Sequence, residues 1–302
     1  MSIVSLGRLA ALFGAIAGVW LPCGCVAGGE DSAFEIGAPW DSGVKETRTI
    51  LMDHVAAKPL HVQSSNGSII VAKSKDASVS VTAKIQAQTE ERLKATQIIA
   101  KRLDDGTLDV QVKWPDNKSK NNEGVSFEIA LPDAKDLKLT TSNGSISADS
   151  MAGSAVLATS NATITVTRQD GPVNATSSNG SVTVSDAAGA VTAESSNGTV
   201  KVQNAASTVK AKTSNGSIDV GMKPDATGPV KLTSSNGRVK LTVGPSFSGV
   251  LSAGTSNGSL TVSGIEDAKV TKSKNSAKVR FSDQGPDSVI ETSNASVEIS
   301  RR

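Results

Sequence analysis

Four aspartates in or beside a repeated segment are the residues of this chain that could support hydrolytic chemistry. They are Asp149, Asp170, Asp186 and Asp219. Paired carboxylates serve as general acid, base or nucleophile in the cleavage of glycosidic bonds. The first three directly follow short apolar strands, where aspartate is a common turn residue, and no lysine or arginine recurs beside them. The pattern therefore predicts a protein that is not an enzyme and has no catalytic residue. A secreted or periplasmic β-helical polysaccharide lyase or hydrolase remains the alternative.

The sequence has little that would hold a metal ion or a cofactor. His54 and His61 are its only histidines, and they stand seven residues apart without a cysteine between or beside them. Zinc sites combine histidine and cysteine at characteristic spacings, so we interpret both histidines as surface residues and expect no metal. There is no phosphate-binding loop or calcium repeat, so no cofactor is expected. A formal net charge of +2 and only 3% aromatic residues do not indicate a surface that binds nucleic acid.

The beginning of the chain is typical of an exported protein. Residues 1–24 are predicted to be a signal peptide, because Arg8 precedes an apolar run over residues 9–21 that is too short to span a bilayer as a helix. Gly24-Cys25 resembles the end of a bacterial lipobox, which would make Cys25 the site of lipidation and anchor the chain to a membrane. Cleavage after Ala27 without lipidation is the alternative. Residues 25–44 are rich in glycine, serine and acids and are predicted to be a tether.

Behind this segment, a hydroxyl residue, an asparagine at a tight corner and an apolar-x-apolar strand recur along the chain. The interval between successive corners is 18 residues from Asn143 to Asn215, and the next two intervals are 21. A fixed period of this length indicates a solenoid, in which each repeat forms one coil. A degenerate corner occurs at Lys274. The predicted structural corners are Asn66, Asn143, Asn161, Asn179, Asn197, Asn215, Asn236, Asn257 and Asn294.

Each repeat predicts two short strands. Counted from the corner asparagine, apolar residues fall at positions +3 and +5 and again at −6 and −4, and this spacing of two is the period of a strand. Glycine usually follows the asparagine, and it can take a positive φ without penalty. Ala162 and Ala295 replace it in two corners, which indicates that positive φ is not strictly required. A series of independent Asn-Gly hairpins is disfavoured, because hairpins would not need the same register on both arms.

The predicted fold is therefore all-β: a parallel β-helix of about nine to ten coils with two strands per coil. A single coil has too few apolar side chains to fold alone, so the coils must stack. Stacking would place the corner asparagines in register, where their amides can form a ladder. The general crossover rule favours a right-handed helix.

Residues 45–136 interrupt the regular repeat, which occupies residues 137–302. This part is predicted to contain the first coil and a small α+β insertion that caps the open apolar end of the solenoid. Residues 89–103 have helical apolar spacing, whereas residues 78–85, 107–112 and 125–131 alternate as strands. The polar stretch over residues 114–123 is predicted to be a loop.

The chain resembles the bacterial DUF4097 family, whose members are described as adhesins with β-strand repeats. The matching segments are LHVQSSNGSIIV, TEERLKATQIIAKRL, VSFEIALP and the run of TSNGSI coils, within about residues 45–302. The resemblance implies a surface or periplasmic binding or scaffold role and no particular ligand. We expect an envelope protein or a glycan as the partner, at the outer membrane, in the periplasm or at the cell surface.

Because the corners are nearly identical, local function is expected where the repeat changes. The two longer coils contain insertions at residues 222–228 and 244–249, and the N-terminal insertion and the Lys274 corner are further exceptions. Phe247, within the second of these insertions, is interpreted either as an exposed partner contact or as a core plug under a longer turn. The threonine and serine residues of the outer strand faces are interpreted as a solvated surface.

Overall fold

The computed structural model describes residues 43–302. They form an almost entirely β structure of 25 strands, one short α-helix, α1 (Glu90–Ala95), and one turn of 3₁₀ helix, Pro115–Asn117. The predicted signal peptide over residues 1–24, the lipidation site Cys25 and nearly all of the predicted tether lie outside the described residues. Within the part that is described, no helix is long and apolar enough to cross a membrane.

The strands, numbered in chain order, form two sheets. In spatial order, the twelve strands of sheet A are β1 (Val44–Asp53), β4 (Ser78–Ala87), β7 (Gly124–Leu131), β3 (Ile69–Lys73), β9 (Ile146–Asp149), β11 (Ile164–Thr167), β13 (Val182–Ser185), β15 (Val200–Ala205), β17 (Ile218–Met222), β19 (Val239–Val243), β25 (Val297–Arg301) and β21 (Leu260–Ser263).

Sheet B has thirteen strands. In spatial order, they are β22 (Lys269–Lys272), β23 (Ser276–Arg280), β20 (Val250–Thr255), β24 (Ser288–Thr292), β18 (Val230–Ser234), β16 (Val209–Thr213), β14 (Val191–Ser195), β12 (Val173–Ser177), β10 (Ser154–Thr159), β8 (Asp136–Thr140), β2 (Leu60–Gln63), β6 (Leu108–Lys113) and β5 (Gln97–Arg102).

The predicted solenoid is confirmed. Each coil gives one strand to sheet B before its corner asparagine and one to sheet A after it, and neighbouring coils pair in parallel and in register. Val182, for example, pairs with Ile164 on one side and Val200 on the other. The alternate apolar residues of both sheets point inward and form one continuous core. Because every coil has the same inward positions, stacking buries them in a common register, with a register shift between β15 and β17 at Ala205.

The corner glycine is needed for a different reason from the one that the sequence suggested. Among the described residues with positive φ, none is a corner glycine or asparagine. The corner backbones instead lie so close together that a Cβ at Gly180 would come within 1.8 Å of the carbonyl oxygen of Ala162, and Gly237 shows the same conflict with Gly216 at 1.6 Å. Positive φ occurs at the opposite corner, seven residues after the asparagine, at Ser150, Arg168, Asp186 and Asn204.

Antiparallel strands close the N-terminal end of the stack. In sheet A, β4 pairs with both β1 and β7, and in sheet B β5 pairs with β6. The predicted helix over residues 89–103 is wrong in its second half. The helix ends at Ala95, with Thr89 as its N-cap, and β5 follows at once. Residues 97–102 form a strand because they pair with β6, and this tertiary contact outweighs helix propensity, which is only a weak preference.

At the C-terminal end, spatial order departs from chain order. The last coil, β24 and β25, lies between the coil of β18 and β19 and the coil of β20 and β21, with parallel pairing on both sides. The predicted coil at Lys274 is wrong. Lys274 lies in the turn of the antiparallel hairpin β22–β23, which pairs with β20. Ala277 and Val279 are nevertheless buried, because an antiparallel strand also alternates its side chains.

Candidate functional site

The nine corner asparagines form one uninterrupted ladder along the edge between the two sheets. Each side-chain amide donates a hydrogen bond of 2.6–2.8 Å to Oδ1 of the asparagine in the neighbouring coil. At the N-terminal end, Asn66 donates to the carbonyl oxygen of Glu123 at 2.9 Å. In spatial order, the ladder consists of Asn66, Asn143, Asn161, Asn179, Asn197, Asn215, Asn236, Asn294 and Asn257.

A second, buried series of hydroxyl groups runs parallel to this ladder. The serine or threonine two residues before each asparagine donates to a corner carbonyl of the neighbouring coil, as Ser195 does to Gly180 at 3.0 Å. The same hydroxyl of Ser195 accepts a hydrogen bond from the backbone N–H of Gly198 at 2.9 Å. The polar groups that recur in each repeat are therefore occupied by contacts between coils. They stabilise the stack and do not assemble a reactive group.

The four candidate catalytic aspartates lie in four different coils, and each has its own surroundings. Asp149 pairs with Arg168, and Asp186 accepts a hydrogen bond from Asn204 at 3.0 Å. Asp219 stands on the outer face of sheet A between Lys201 and Lys240 of the neighbouring strands. Asp170 is exposed in a turn. The structure does not bring these carboxylates together as an acid–base pair.

The two histidines do not form a metal site with other residues. The interpretation of His54 as a surface residue is wrong, because its side chain is only 12% exposed and its Nε2 lies 3.3 Å from a carboxylate oxygen of Asp133. A backbone hydrogen bond from Ala57 is the main cause that lowers the pKa of Asp133, and His54 adds to it. His61 is partly buried on β2. Within residues 43–302, no group of three or more His, Cys, Asp or Glu side chains is placed to hold a metal ion.

Phe247 is buried, at 3% exposure. Its ring packs edge-on against Phe281 with 5.1 Å between centroids, and Arg301 lies over the other ring at 5.2 Å. The two insertions of the longer coils meet here, since the N–H of Ser248 donates to the carbonyl of Thr227 at 3.3 Å. Of the two interpretations, the core plug under a longer turn describes this side chain. The other interpretation, that Phe247 is an exposed partner contact, is wrong, because the two insertions pack on each other and do not project into solvent.

The N-terminal insertion, by contrast, builds a groove at the start of the asparagine ladder. The groove has a volume of about 960 Å³. Its walls come from segments that are far apart in the sequence, namely β1, β4 and the loop after β6, and its floor includes the first two ladder asparagines. The lining residues are Lys45, Thr47, Asn66, Lys84, Ile85, Gln86, Ser119, Lys120, Asn121, Asn122, Glu123, Gly124, Ser126 and Asn143.

The loop that forms one wall of the groove is held by a buried ion pair. The guanidinium of Arg92 donates to both carboxylate oxygens of Glu123, at 2.6 and 2.8 Å, and also to the carbonyl of Lys118 at 3.1 Å. The carboxylate of Glu123 has no exposed surface and also accepts hydrogen bonds from the backbone N–H groups of Lys120 and Gln88. The Arg92 hydrogen bonds are the main cause that lowers the pKa of Glu123 to about 2. The loop over residues 114–123 is thus tied to α1.

A second, smaller groove of about 540 Å³ lies on the sheet B side of the same loop. Trp114, Gln63, Gln111 and Lys118 are among its lining residues, and Ser119 lines both grooves. Trp114 is itself buried, at 6% exposure. The loop over residues 114–123 therefore separates two polar concave surfaces at one end of the solenoid. The sequence predicted a polar loop here and local function in the N-terminal insertion, but it did not predict the two grooves.

Comparison with known proteins gives a partial family match and several structural neighbours. A family model described as a domain of unknown function, DUF7330, matches residues 190–282. This is fewer than half of the residues, and it is a different family from DUF4097, which the sequence resembled. No curated protein matches the chain.

Several solved bacterial structures resemble the chain at low sequence identity. A "putative adhesin" from Bacteroides fragilis is 14% identical, covers 84% of this chain and 97% of its own, and has a TM-score of 0.45. A "putative lipid binding protein" from Parabacteroides distasonis is 14% identical, with coverages of 85% and 96% and a TM-score of 0.43. A "putative cell adhesion protein" from Clostridium sporogenes is 12% identical, with coverages of 86% and 100% and a TM-score of 0.31.

Proposed function

We propose that this chain is a non-enzymatic binding or scaffold protein of the cell envelope, adhesin-like in the general sense that it presents a rigid surface to a partner. The observation that carries the proposal is the groove at the start of the asparagine ladder. It is a concave surface lined mostly by polar residues of the insertion together with the first two asparagines of the ladder, and Arg92 and Glu123 fix the position of its wall. A binding surface on a rigid scaffold is a common way for a repeat protein to act.

The contacts within the repeats support a scaffold role for the repeats and a binding role for the groove. Their asparagines and buried hydroxyls are occupied by contacts between coils, and their aspartates are dispersed over different coils. A lyase or hydrolase needs an acid and a base at one bond of the substrate. The surroundings of Asp149, Asp186 and Asp219 favour roles in salt bridges, turns and strand faces.

The test of a binding role is the capture of envelope components by the purified full chain. The wild type and a Lys120→Glu variant would be immobilised and exposed to a panel of bacterial and plant polysaccharides and to fractionated envelope proteins. We expect retention of at least one component by the wild type, and its loss in the variant. A Lys212→Glu variant, altered on the outer face of sheet B, serves as the matched control. Equal capture by all three proteins would contradict the assignment of the groove.

The same incubations decide between binding and catalysis. Each polysaccharide would be analysed for new reducing ends and for unsaturated products after prolonged contact with the protein. A release of either product that disappears on substitution of one acidic residue would replace the binding role with a hydrolase or lyase.

The proposed location is the envelope, with attachment through a lipid on Cys25. The support is the arrangement of Arg8, the apolar run and Gly24-Cys25 at the start of the sequence. Metabolic labelling with a palmitate analogue, in cells that express the wild type or a Cys25→Ala variant, tests the anchor. We expect label and membrane association in the wild type only. An unlabelled wild type that is secreted after cleavage would establish the alternative.

A further inference from the structure

We infer that the terminal coil, formed by β24 and β25, exchanges with the terminal coil of a second copy of this chain, so that two copies assemble through their C-terminal ends. The partner of this part of the molecule is therefore the same protein. Three observations support the exchange: the position of the terminal coil, the ion pairs that hold it there, and the exposed segment that connects it to the preceding hairpin.

The terminal coil occupies a slot between two coils that are consecutive in the sequence. On one side it pairs in parallel with β18 and β19, and on the other side with β20 and β21. Its inward side chains are covered there, since Ile290 and Ile299 are 0% exposed and Val297 is 1% exposed. The slot thus has two walls with strand edges of the same register, and the terminal coil is the layer that joins them.

The charges around the slot match those of the terminal coil. Arg238, next to β19 in one wall, pairs with Glu298 of the terminal coil. Asp267, which follows β21 of the other wall, pairs with Arg301. The slot therefore offers a cation on one side and an anion on the other, and the terminal coil carries the opposite charge at each place. A second copy supplies Glu298 and Arg301 at the same positions, so this complementarity selects it as the occupant.

The segment that connects the hairpin β22–β23 to the terminal coil has few contacts. Residues 283–287 are all exposed and form neither helix nor strand. Asp283 pairs with Arg280, and Ser282 donates a hydrogen bond to the carbonyl of Gln284, so these contacts stay within the segment and the hairpin that precedes it. Five extended residues span about 17 Å, whereas one coil adds about 4.8 Å to the stack. The segment is therefore long enough to lead the terminal coil past the coil of β20 and β21.

The order of the coils makes exchange accessible while the chain folds. The coil of β20 and β21 pairs with the terminal coil and not with β18 and β19, so it reaches its place only when a terminal coil is present. A terminal coil from a second copy offers the same residues in the same register, and exchange of an identical element needs no new contact. The connection within one chain favours its own coil in dilute solution, and neighbouring copies compete as the protein becomes more concentrated.

The experiment detects exchange through disulfides between two full chains that each carry one cysteine. One chain has Ser235→Cys, the other has Ser293→Cys and a heavy nitrogen label, and Cys23 and Cys25 are replaced by serine in both. The N–H of Ser293 donates to the carbonyl of Ser235 at 3.1 Å, so exchange places the two cysteines side by side. The chains are mixed in urea, refolded together and mildly oxidised.

We expect a mixed disulfide between the labelled and the unlabelled chain, identified by peptide mapping. Its yield should rise about tenfold for a tenfold increase in protein concentration while dimers are the minority, because the assembly follows mass action. Native mass spectrometry and thermal unfolding check that the dimer is folded.

A second cysteine pair and a matched control separate exchange from chance collision. Ser256→Cys mixed with Ser293→Cys should also link, because the N–H of Asn257 donates to the carbonyl of Ser293 at 2.8 Å. Ser235→Cys mixed with Ser256→Cys should not link, since exchange places a terminal coil between these positions and keeps them about 9.6 Å apart. All three serines are exposed, so chance collisions would link the three pairs equally.

A charge reversal tests the identity of the occupant. A chain with Arg238→Glu has like charges in its own slot, and so does a chain with Glu298→Arg. When the two are refolded together, each terminal coil finds the opposite charge only in the other chain. With cysteines at positions 235 and 293, respectively, the yield of the mixed disulfide should be about fivefold that of the same cysteine pair without the charge changes.

Three results would overturn the exchange of terminal coils. They are equal yields from the three cysteine pairs, dimers that lack the links from position 293 to positions 235 and 256, and a monomer at every protein concentration. The binding function of the groove is tested separately, by the capture of envelope components, and stands or falls on that result.

Discussion

The side-chain amide of Asn294 donates a hydrogen bond of 2.7 Å to Oδ1 of Asn236, although 58 residues separate the two in the chain. Asn294 in turn accepts a hydrogen bond of 2.8 Å from Asn257. The last coil therefore lies between two coils that are consecutive in the sequence. Strands β20 and β21 therefore pair with the final coil, β24 and β25, and not with β18 and β19, which precede them in the sequence.

Engineered disulfides test this order of coils. The corner serines Ser235 and Ser293 belong to adjacent coils, and the N–H of Ser293 donates to the carbonyl of Ser235 at 3.1 Å. Cysteines at these two positions should form a disulfide on mild oxidation, because adjacent strands lie about 4.8 Å apart and a disulfide needs Cα atoms within about 4.4–6.8 Å. Peptide mapping by mass spectrometry identifies the bond.

The matched control places cysteines at Ser235 and Ser256. These positions would be neighbours if the coils stacked in chain order, but here the final coil separates them by about 9.6 Å, which is twice the strand spacing. We expect no disulfide within this pair. Cys23 and Cys25 are replaced by serine in every variant. A disulfide between positions 235 and 256, with none between 235 and 293, is the result that chain-order stacking requires.

Corner glycines should resist substitution because of the neighbouring backbone. A Cβ at Gly180 would lie 1.8 Å from the carbonyl oxygen of Ala162, so Gly180→Ala must push two coils apart. We expect a loss of about 1–3 kcal/mol in the free energy of unfolding, the usual cost of overpacking, measured by urea denaturation. The presence of Ala162 in an equivalent corner shows that the stack can adjust to one methyl group, which favours the lower part of this range.

Gly254 provides the control for this substitution. It lies in strand β20, and a Cβ there would meet no atom within 4 Å. Gly254→Ala should change the free energy of unfolding by less than about 0.5 kcal/mol. Equal losses at positions 180 and 254 would mean that the close approach of the corners has no energetic consequence.

The repeated part of the fold follows from the sequence because local pattern and packing agree there. The apolar residues at +3 and +5, such as Val200 and Val202, are inward in the structure, and the corner asparagines stack as their fixed interval indicates. The same regularity hides the order of the coils. Because each coil has the same inward register, β24 can pair in parallel with both β18 and β20, and no residue pattern predicts which coils are neighbours.

Less of the candidate site could be predicted from the sequence. Lys45, Gln86 and Asn121 come together only because β4 pairs antiparallel with both β1 and β7, and such long-range pairing leaves no local signal. The polar loop over residues 114–123 and the break in the period were the available indications. The left-handed corner was also hidden, since Ser150, Arg168, Asp186 and Asn204 share a conformation but not a residue type.

The ion pair of Arg92 and Glu123 makes part of the stability dependent on pH. The pKa of Glu123 is lowered from 4.5 to about 2 in the folded chain, so the stabilisation is complete above pH 4.5 and is lost as the pH falls toward 2. Glu123→Gln should lower the free energy of unfolding at pH 7 by about 3 kcal/mol, because Arg92 loses its buried charge partner and keeps the contact of 3.2 Å with the exposed Asp116. The difference between variant and wild type should shrink steadily between pH 4.5 and 2.

Glu46→Gln is the control for this pH dependence, as Glu46 forms a more exposed ion pair with Arg48. Exposed pairs contribute little, so this variant should behave like the wild type across the same pH range. Urea unfolding curves at pH 7, 4 and 3 give the comparison. A deficit of Glu123→Gln that stays constant with pH would show that the ionisation of Glu123 does not contribute.

Phe247 should behave as a core residue of the longer coils. Its ring is 3% exposed and packs against Phe281, so Phe247→Ala should leave a cavity and cost about 3 kcal/mol, with groove binding unchanged. Val270→Ala, at a side chain 39% exposed on β22, should cost much less. Thermal unfolding together with the capture of envelope components measures both quantities. Wild-type stability with impaired partner binding in the Phe247→Ala variant would show that Phe247 is a surface contact. Only an exposed ring can be removed without leaving a cavity.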